Sequence, residues 1–395
     1  MVKTIVFCAD GTWNAPTQED GGDQGAAPTN VYKLFCGLAG TMRPGFNPMD
    51  REQEKELWLD NRLCQIAKYL HGVGKPDDYD NVYLKSLKGL GLVTRVVHAT
   101  QTVVGGATGY GILSRIVRGY TFISRHYEAG DRIVVVGFSR GAYTARALAG
   151  MIARQGLLGK HLTSDKATAY QAGAKAWHRY RDSLNRGGSA WGRTVEALSD
   201  LAAWWQRDEL KKDDFIEVPS LLAVAVWDTV GSLGINDFSK GSGHDAFKFT
   251  NTTLNTKVQH GFHALALDEE RVDFIPTLWD AAPNVVQVLF PGSHADVGGG
   301  YPMSNNESGL SDIALQWMAD RLREIGVEVR QPLYQPWQPD ALGKAHQEWR
   351  SSLWQVRPHE RRRFPPSVTR HECVSARVGK MVCADPSLAP QLYRG

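Results

Sequence analysis

The chain is expected to adopt an α/β architecture, a mainly parallel sheet with helices on both faces. Short apolar runs rich in β-branched residues recur along it: Thr4-Ile-Val-Phe-Cys-Ala, Arg132-Ile-Val-Val-Val-Gly, Val218 to Trp227 and Asn284 to Phe290. Segments with helical spacing separate them, the alternation that yields parallel strands buried on both faces. The length of 395 residues, with 42% hydrophobic and 22% charged residues, suits one large folded domain and excludes a disordered or fibrous chain.

The first run, from Thr4, reads as a buried strand that ends in the turn Asp10-Gly-Thr-Trp-Asn. Val31 to Leu38 and Gln53 to Leu70 have helical spacing, and Tyr69-Leu-His-Gly-Val-Gly reads as a strand entering a glycine turn. Gly89 to Gly111 is glycine-rich. Ile112 to Tyr127 is expected to be a helix that leads through Ala129-Gly-Asp into the strand from Arg132, and Ala142 to Arg154 is a helix of small residues. Residues 160 to 215 form a polar, tryptophan-bearing, mainly helical stretch broken at Gly187-Gly188, expected to be an inserted lid. Val218 to Trp227 is the next strand, Thr256 to Val272 reads as a helix, Asn284 to Phe290 as a strand, and Leu310 to Ile325 as an amphipathic helix. Beyond Gln331 the sequence turns proline-rich and basic, with Arg357-Pro-His-Glu-Arg-Arg-Arg. The expected division is therefore a domain over residues 1–330, its insertion at about 160–215, and an appendage over 331–395 outside the core.

Several function classes are disfavoured. Lys and Arg total 45 against 42 Asp and Glu, a formal charge of +3, too small a bias to indicate nucleic acid as a partner. The apolar runs fall far short of the roughly 20 residues that span a bilayer as a helix. The N-terminus shows no signal peptide, so the expected location is the cytoplasm of the producing cell. Five scattered cysteines without a C-x-x-C pair read as reduced thiols, and no metal or cofactor is expected. Asp10-Gly-Thr lacks the preceding nucleophilic aspartate of a phosphotransferase, because that position is Cys8. No P-loop and no H-E-x-x-H occurs.

Gly137-Phe138-Ser139-Arg140-Gly141 is a G-x-S-x-G turn between an apolar strand and a helix of small residues. Such a turn strains the serine, so the residues two before and two after it must lack side chains, and both are glycine. A serine hydroxyl becomes a useful nucleophile only when a histidine takes its proton and a carboxylate fixes that histidine's tautomer. Asp228 ends one strand and His294 lies in the turn after another, in the order serine, acid, histidine of an α/β-hydrolase-like fold. Asp268 and Asp296 are alternative acids, and Asp296 is the better placed to fix the turn by an Asx-type hydrogen bond. Backbone N–H groups of Arg140 and of Gly11 or Thr12 are the expected oxyanion donors, with Asp10 as a supporting residue.

Six motifs, in this order, resemble one family: Asp10-Gly-Thr-Trp-Asn, His71-Gly-Val-Gly, Gly137-Phe-Ser-Arg-Gly-Ala, Trp227-Asp-Thr-Val-Gly-Ser, His263-Ala-Leu-Ala-Leu-Asp-Glu and Pro291-Gly-Ser-His-Ala-Asp-Val-Gly-Gly-Gly-Tyr. They look like the α/β-hydrolase family of domain of unknown function 2235, which includes type VI secretion lipase effectors of the first class. The resemblance spans about residues 3 to 325. It implies Ser139, Asp228 and His294 as the triad and a phospholipid or other ester as substrate. It also implies peripheral membrane contact, delivery to a target cell without a signal peptide, and an immunity or secretion partner. Trp177, Trp191, Trp204 and Trp205 in the insertion fit a lid resting at a membrane interface, or a core. Arg361-Arg-Arg fits anionic headgroups or a solvated turn. An esterase for soluble substrates and a catalytically silent binding module on the same fold are the competing functions.

Overall fold

The structure, a computed structural model, describes residues 2–11, 27–48, 50–72, 107–184, 210–230, 252–334, 336–351 and 354–395. The strands are β1 (Thr4–Ala9), β2 (Thr41–Met42), β3 (Glu52–Leu59), β4 (Arg62–Leu70), β5 (Arg132–Phe138), β6 (Leu157–Leu158), β7 (Phe215–Ile216), β8 (Leu221–Trp227), β9 (Val258–Ala266), β10 (Val285–Phe290), β11 (Thr369–Arg370), β12 (Met381–Val382) and β13 (Gln391–Leu392). The helices are α1 (Asn30–Gly37), α2 (Ala107–His126), α3 (Arg140–Gln155), α4 (Lys166–Leu184), α5 (His294–Gly298), α6 (Gly309–Glu324) and α7 (Glu372–Arg377). The central sheet runs β11-β10-β9-β8-β5-β1-β4-β3-β2. Every neighbouring pair from β11 to β4 is parallel, and β3 and β2 continue antiparallel.

Both faces of the sheet are covered, which is why β1, β5 and β8 are apolar at nearly every position. In β1, Ile5 and Phe7 pack into one core with Tyr120 of α2 and with Leu148 and Met151 of α3. Val6 and Cys8 pack into the other core with Leu34 and Phe35 of α1 and with Leu315 and Met318 of α6. Gly119 lets α2 lie close on the sheet, since a Cβ there would stand 2.6 Å from the Phe7 ring. The expected helices at 31–38, 112–127, 142–154 and 310–325 all form, with ends shifted by a few residues.

Two expected helices are strands. Gln53 to Leu70 folds as the β3–β4 hairpin, turned by Asp60 and Asn61 at φ 48° and 59°, the left-handed pair of a tight hairpin. Its inward positions include Lys55, whose ammonium is buried where it donates to the Cys36 and Leu38 carbonyls at the end of α1 (2.9 and 2.6 Å). That inward polar residue hides the strand alternation. Thr256 to Val272 contains β9, buried between β8 and β10, and carries the polar His263 inward.

The end of the chain also departs from expectation. Rather than lying outside the core, it adds β11 to the sheet beside β10 and places Leu333 and Cys373 in the core with α6. Within the expected lid, α4 packs on α2 and α3, and Trp177 is 4% exposed, which is the core placement of the two expected for it. Trp191, Trp204, Trp205 and the Gly187-Gly188 break lie outside the described residues, as do Gly89 to Gly106.

Candidate active site

Parallel strands end on one edge of a sheet, and here that edge gathers the chemistry. Asp10 follows β1, Ser139 follows β5, Asp228 follows β8, Glu269 lies just beyond β9 and His294 just beyond β10. Phe138 is paired with Trp227, so Ser139 and Asp228 leave neighbouring strands at the same level.

Ser139 sits at φ 56°, ψ −124°, a conformation that strains any residue with a side chain. The turn holds because its neighbours are bare. A Cβ on Gly137 would stand 2.3 Å from the Gly141 carbonyl oxygen, and one on Gly141 would stand 2.1 Å from the Ala9 carbonyl oxygen. Helix α3 begins at Arg140, so the first N–H groups, with no acceptor inside the helix, and the positive end of its dipole lie beside the serine.

His294 opens α5, a short helix held by reciprocal capping between Ser293 and Asp296. Its Nδ1 donates to Asp228 Oδ2 at 2.5 Å, which leaves Nε2 free of a proton. Phe138 lies against the imidazole with centroids 4.5 Å apart, and Phe274 meets it edge-on at 4.9 Å. Burial pushes the His294 pKa below the ordinary value, against the pull of Asp228. The ring is therefore a neutral base near pH 7. Its backbone N–H donates to Glu269 (3.1 Å), and Glu269 is paired with Arg271 through Nε and a terminal nitrogen at 2.9 and 2.7 Å. Gly298 completes the packing, since a Cβ there would stand 2.0 Å from the Phe138 ring. Gly298→Ala should therefore displace Phe138 from the imidazole, destabilise the fold by about 1–3 kcal/mol as overpacking does, and lower turnover; thermal melting and initial rates measure both effects.

Asp228 is buried and accepts from four donors. Oδ1 receives the Ala266 N–H at 3.1 Å and an Arg362 nitrogen at 2.7 Å, and Oδ2 receives His294 and the second Arg362 nitrogen at 3.0 Å. Burial raises its pKa, but Arg362 and His294 together hold it below the usual carboxylate range. Arg362 belongs to the arginine run expected to be solvated or to meet headgroups; its side chain is only 4% exposed. Nothing local in the sequence marks it, because its partner lies 134 residues away.

The remaining expected residues have other partners. Asp268 accepts from the Gly292 N–H and the Tyr393 hydroxyl (2.7 and 2.8 Å), and Asp296 accepts from the Ser293 N–H and from His346 (2.8 and 2.7 Å). Asp10 accepts from Thr29 and Tyr69, and burial raises its pKa to about 6. The Gly11 N–H, one of the expected oxyanion donors, donates to the Asp10 carboxylate at 2.7 Å. Thr12 lies outside the described residues. His263 is buried, accepts the Thr229 N–H at 3.1 Å and has its pKa depressed to about 3 by burial, as a neutral structural residue behind Asp228. Among the described residues no helix is long and apolar enough to cross a membrane, and no cluster of three or more His, Cys, Asp or Glu is placed to hold a metal.

Fold and site together define an α/β protein with a mostly parallel sheet, a serine in a strained strand-to-helix turn and an aspartate–histidine pair on the same edge. The chain belongs to the family described as T6SS, Phospholipase effector Tle1-like, catalytic domain, which it matches over residues 3–321. It is also similar to an uncharacterized protein of Saccharomyces cerevisiae, 28% identical over 287 residues, which cover 73% of this chain and 34% of the yeast protein. Among solved structures it is similar to an uncharacterized protein from Pseudomonas aeruginosa, with 18% identity and a TM-score of 0.38 over 84% of this chain and 47% of that one. The chain thus spans about a third of the yeast relative and about half of the solved chain.

Proposed function

We propose that the chain is a serine hydrolase of the α/β-hydrolase type that cleaves a carboxylic ester of a phospholipid. The observation that carries this reading is the strained Ser139 on the same sheet edge as a His294 whose Nδ1 is fixed by Asp228. Ser139 Oγ attacks the ester carbonyl while His294 Nε2 takes its proton, and N–H groups at the start of α3, Arg140 first, stabilise the oxyanion. The tetrahedral intermediate collapses, the C–O bond to the alcohol breaks, and His294 returns the proton to the departing alcohol. Water, activated by the same histidine, then cleaves the acyl-enzyme. A second oxyanion donor is expected from the backbone just after β1, from Gly11 or Thr12. The family supports delivery to a target cell and an immunity partner in the producer.

The rim beside His294 favours lipid over a soluble ester. Ile275 and Val356 are 64% and 89% exposed, next in sequence to Phe274 and close to Trp354, whose rings meet at 5.5 Å. Arg361 and Arg363, in the same segment as Val356, have side chains 84% and 91% exposed and are paired at 3.4 Å with Glu270 and Glu360. Apolar side chains flanked by arginines suit an anionic membrane interface.

The test compares wild type and Ser139→Ala on phosphatidylglycerol-containing vesicles and on a soluble short-chain ester. Fatty acid released from vesicles only by the wild type is expected. Serine-dependent cleavage of the soluble ester alone supports the esterase reading, and no serine-dependent cleavage of either supports a silent binding module. The double variant Ile275→Asp, Val356→Asp should lose about tenfold or more on vesicles and keep its soluble-ester rate. Equal rates on vesicles remove the rim from the account.

A further inference from the structure

The geometry points to Arg362 as a positioning residue for this reaction: its guanidinium grips both oxygens of Asp228 in the orientation that fixes His294, and it does so from outside the matched residues 3–321. This rests on the hydrolase reading and deepens it. Arg362 also donates to the Ala266 carbonyl at 2.9 Å and to the Phe274 carbonyl, so four acceptor contacts set its plane. The segment that carries it is itself held down. His359 bridges Arg271, the Glu360 N–H donates to the Glu270 carbonyl at 2.7 Å, Arg357 pairs with Asp273 at 2.7 Å, and Trp354 packs on Phe274. Arg361 and Arg363 stand in solvent on either side, so only the middle residue of the run turns inward.

The chemical need for it follows from burial. Asp228 is removed from water, and among the described residues its donors besides Arg362 are the Ala266 N–H and the imidazole. A dehydrated carboxylate with so little compensation would draw a proton onto the site, and an imidazolium cannot act as base. The guanidinium offsets part of the carboxylate charge, so His294 rests neutral, and the same group holds both carboxylate oxygens in the plane that receives the imidazole N–H once His294 accepts the serine proton. The charged groups around the ring are Asp228, Glu269 and Arg271, with His263 and Arg146 behind Asp228. Arg362 acts through the first of these.

The experiment follows the far-downfield Nδ1 proton of His294 by NMR across a pH series, alongside kcat/KM against pH, in wild type, Arg362→Met and Arg362→Lys. In Arg362→Met the His294 midpoint should rise by about one unit or more, moving the acid limb of kcat/KM to higher pH. Arg362→Lys keeps the charge but not the planar fork, so its midpoint should stay while kcat falls about tenfold. An unmoved midpoint in folded Arg362→Met overturns the proposal. Where that variant does not fold, unchanged kcat in Arg362→Lys overturns it. The NMR titration needs no substrate, so it reads Arg362 even if no ester is cleaved, and failure of the hydrolase reading is seen separately as the absence of Ser139-dependent release.

Discussion

Replacing Ser139 by alanine should lower ester turnover by about 10⁴–10⁶-fold while the protein stays folded. The loss is large because the reaction as proposed has no second nucleophile: His294 Nε2 can accept a proton, but a free water in its place would lack the fixed approach of a covalent serine. Stability should hold because the hydroxyl caps nothing; Ser139 precedes α3 without a side-chain hydrogen bond to its first turn. Alanine inherits the strain at φ 56°, whereas glycine adopts such a backbone readily, so Ser139→Gly should be equally inactive but more stable by about 1 kcal/mol. That pair of results, both variants inactive and only one stabilised, would identify the turn as strained for function. Rates of fatty acid release and melting temperatures of the three proteins decide it. Residual activity near that of wild type in either variant would remove Ser139 from the mechanism. The rate of the wild type should rise with pH through a midpoint below the ordinary histidine value of 6.5, since burial disfavours the imidazolium of His294.

What could be read in advance follows where the side chains point. Strands β1, β5 and β8 are legible because each is largely apolar on both faces, as parallel strands between helices are, and β10 is legible because only a single buried glutamine, Gln287, interrupts its apolar run. The β3–β4 hairpin and β9 are not, because they turn polar residues inward: Lys55 onto the carbonyls of α1, Gln65 onto the Glu328 carbonyl at 2.9 Å, His263 onto the Thr229 N–H. Each of these is satisfied by a partner distant in sequence, so no local pattern announces it. The same division runs through the site. Ser139, Asp228 and His294 could be placed on one edge because strand ends and a glycine-flanked turn are local features. Arg362 could not, since a run of three arginines gives no sign that its middle member is buried. Glu269 ends a motif beside Asp268, but its contact with the His294 N–H spans 25 residues and leaves no local mark.

Changing Asp228 to asparagine should reduce turnover by about 10⁴-fold and destabilise the fold by about 1–3 kcal/mol. Four donors converge on the carboxylate, two on each oxygen. An asparagine offers one acceptor and one donor group in their place. With its amide nitrogen toward His294, the imidazole must accept at Nδ1 and carry its proton on Nε2, the nitrogen that has to receive the serine proton. With the nitrogen turned the other way, it faces the Ala266 N–H and an Arg362 nitrogen, leaving buried donors against one another. Either placement loses, the first through the tautomer and the second through stability. The stability loss has a definite pH dependence. Because Asp228 titrates below its ordinary value of 3.8 in the folded protein, its contribution is fully present above that value and is lost as pH falls through the folded one. Wild type and Asp228→Asn should therefore melt far apart at neutral pH and converge only in strong acid. Near-normal turnover in Asp228→Asn would instead require another acid for His294. Asp268 could serve only by releasing the Gly292 N–H and the Tyr393 hydroxyl it now holds.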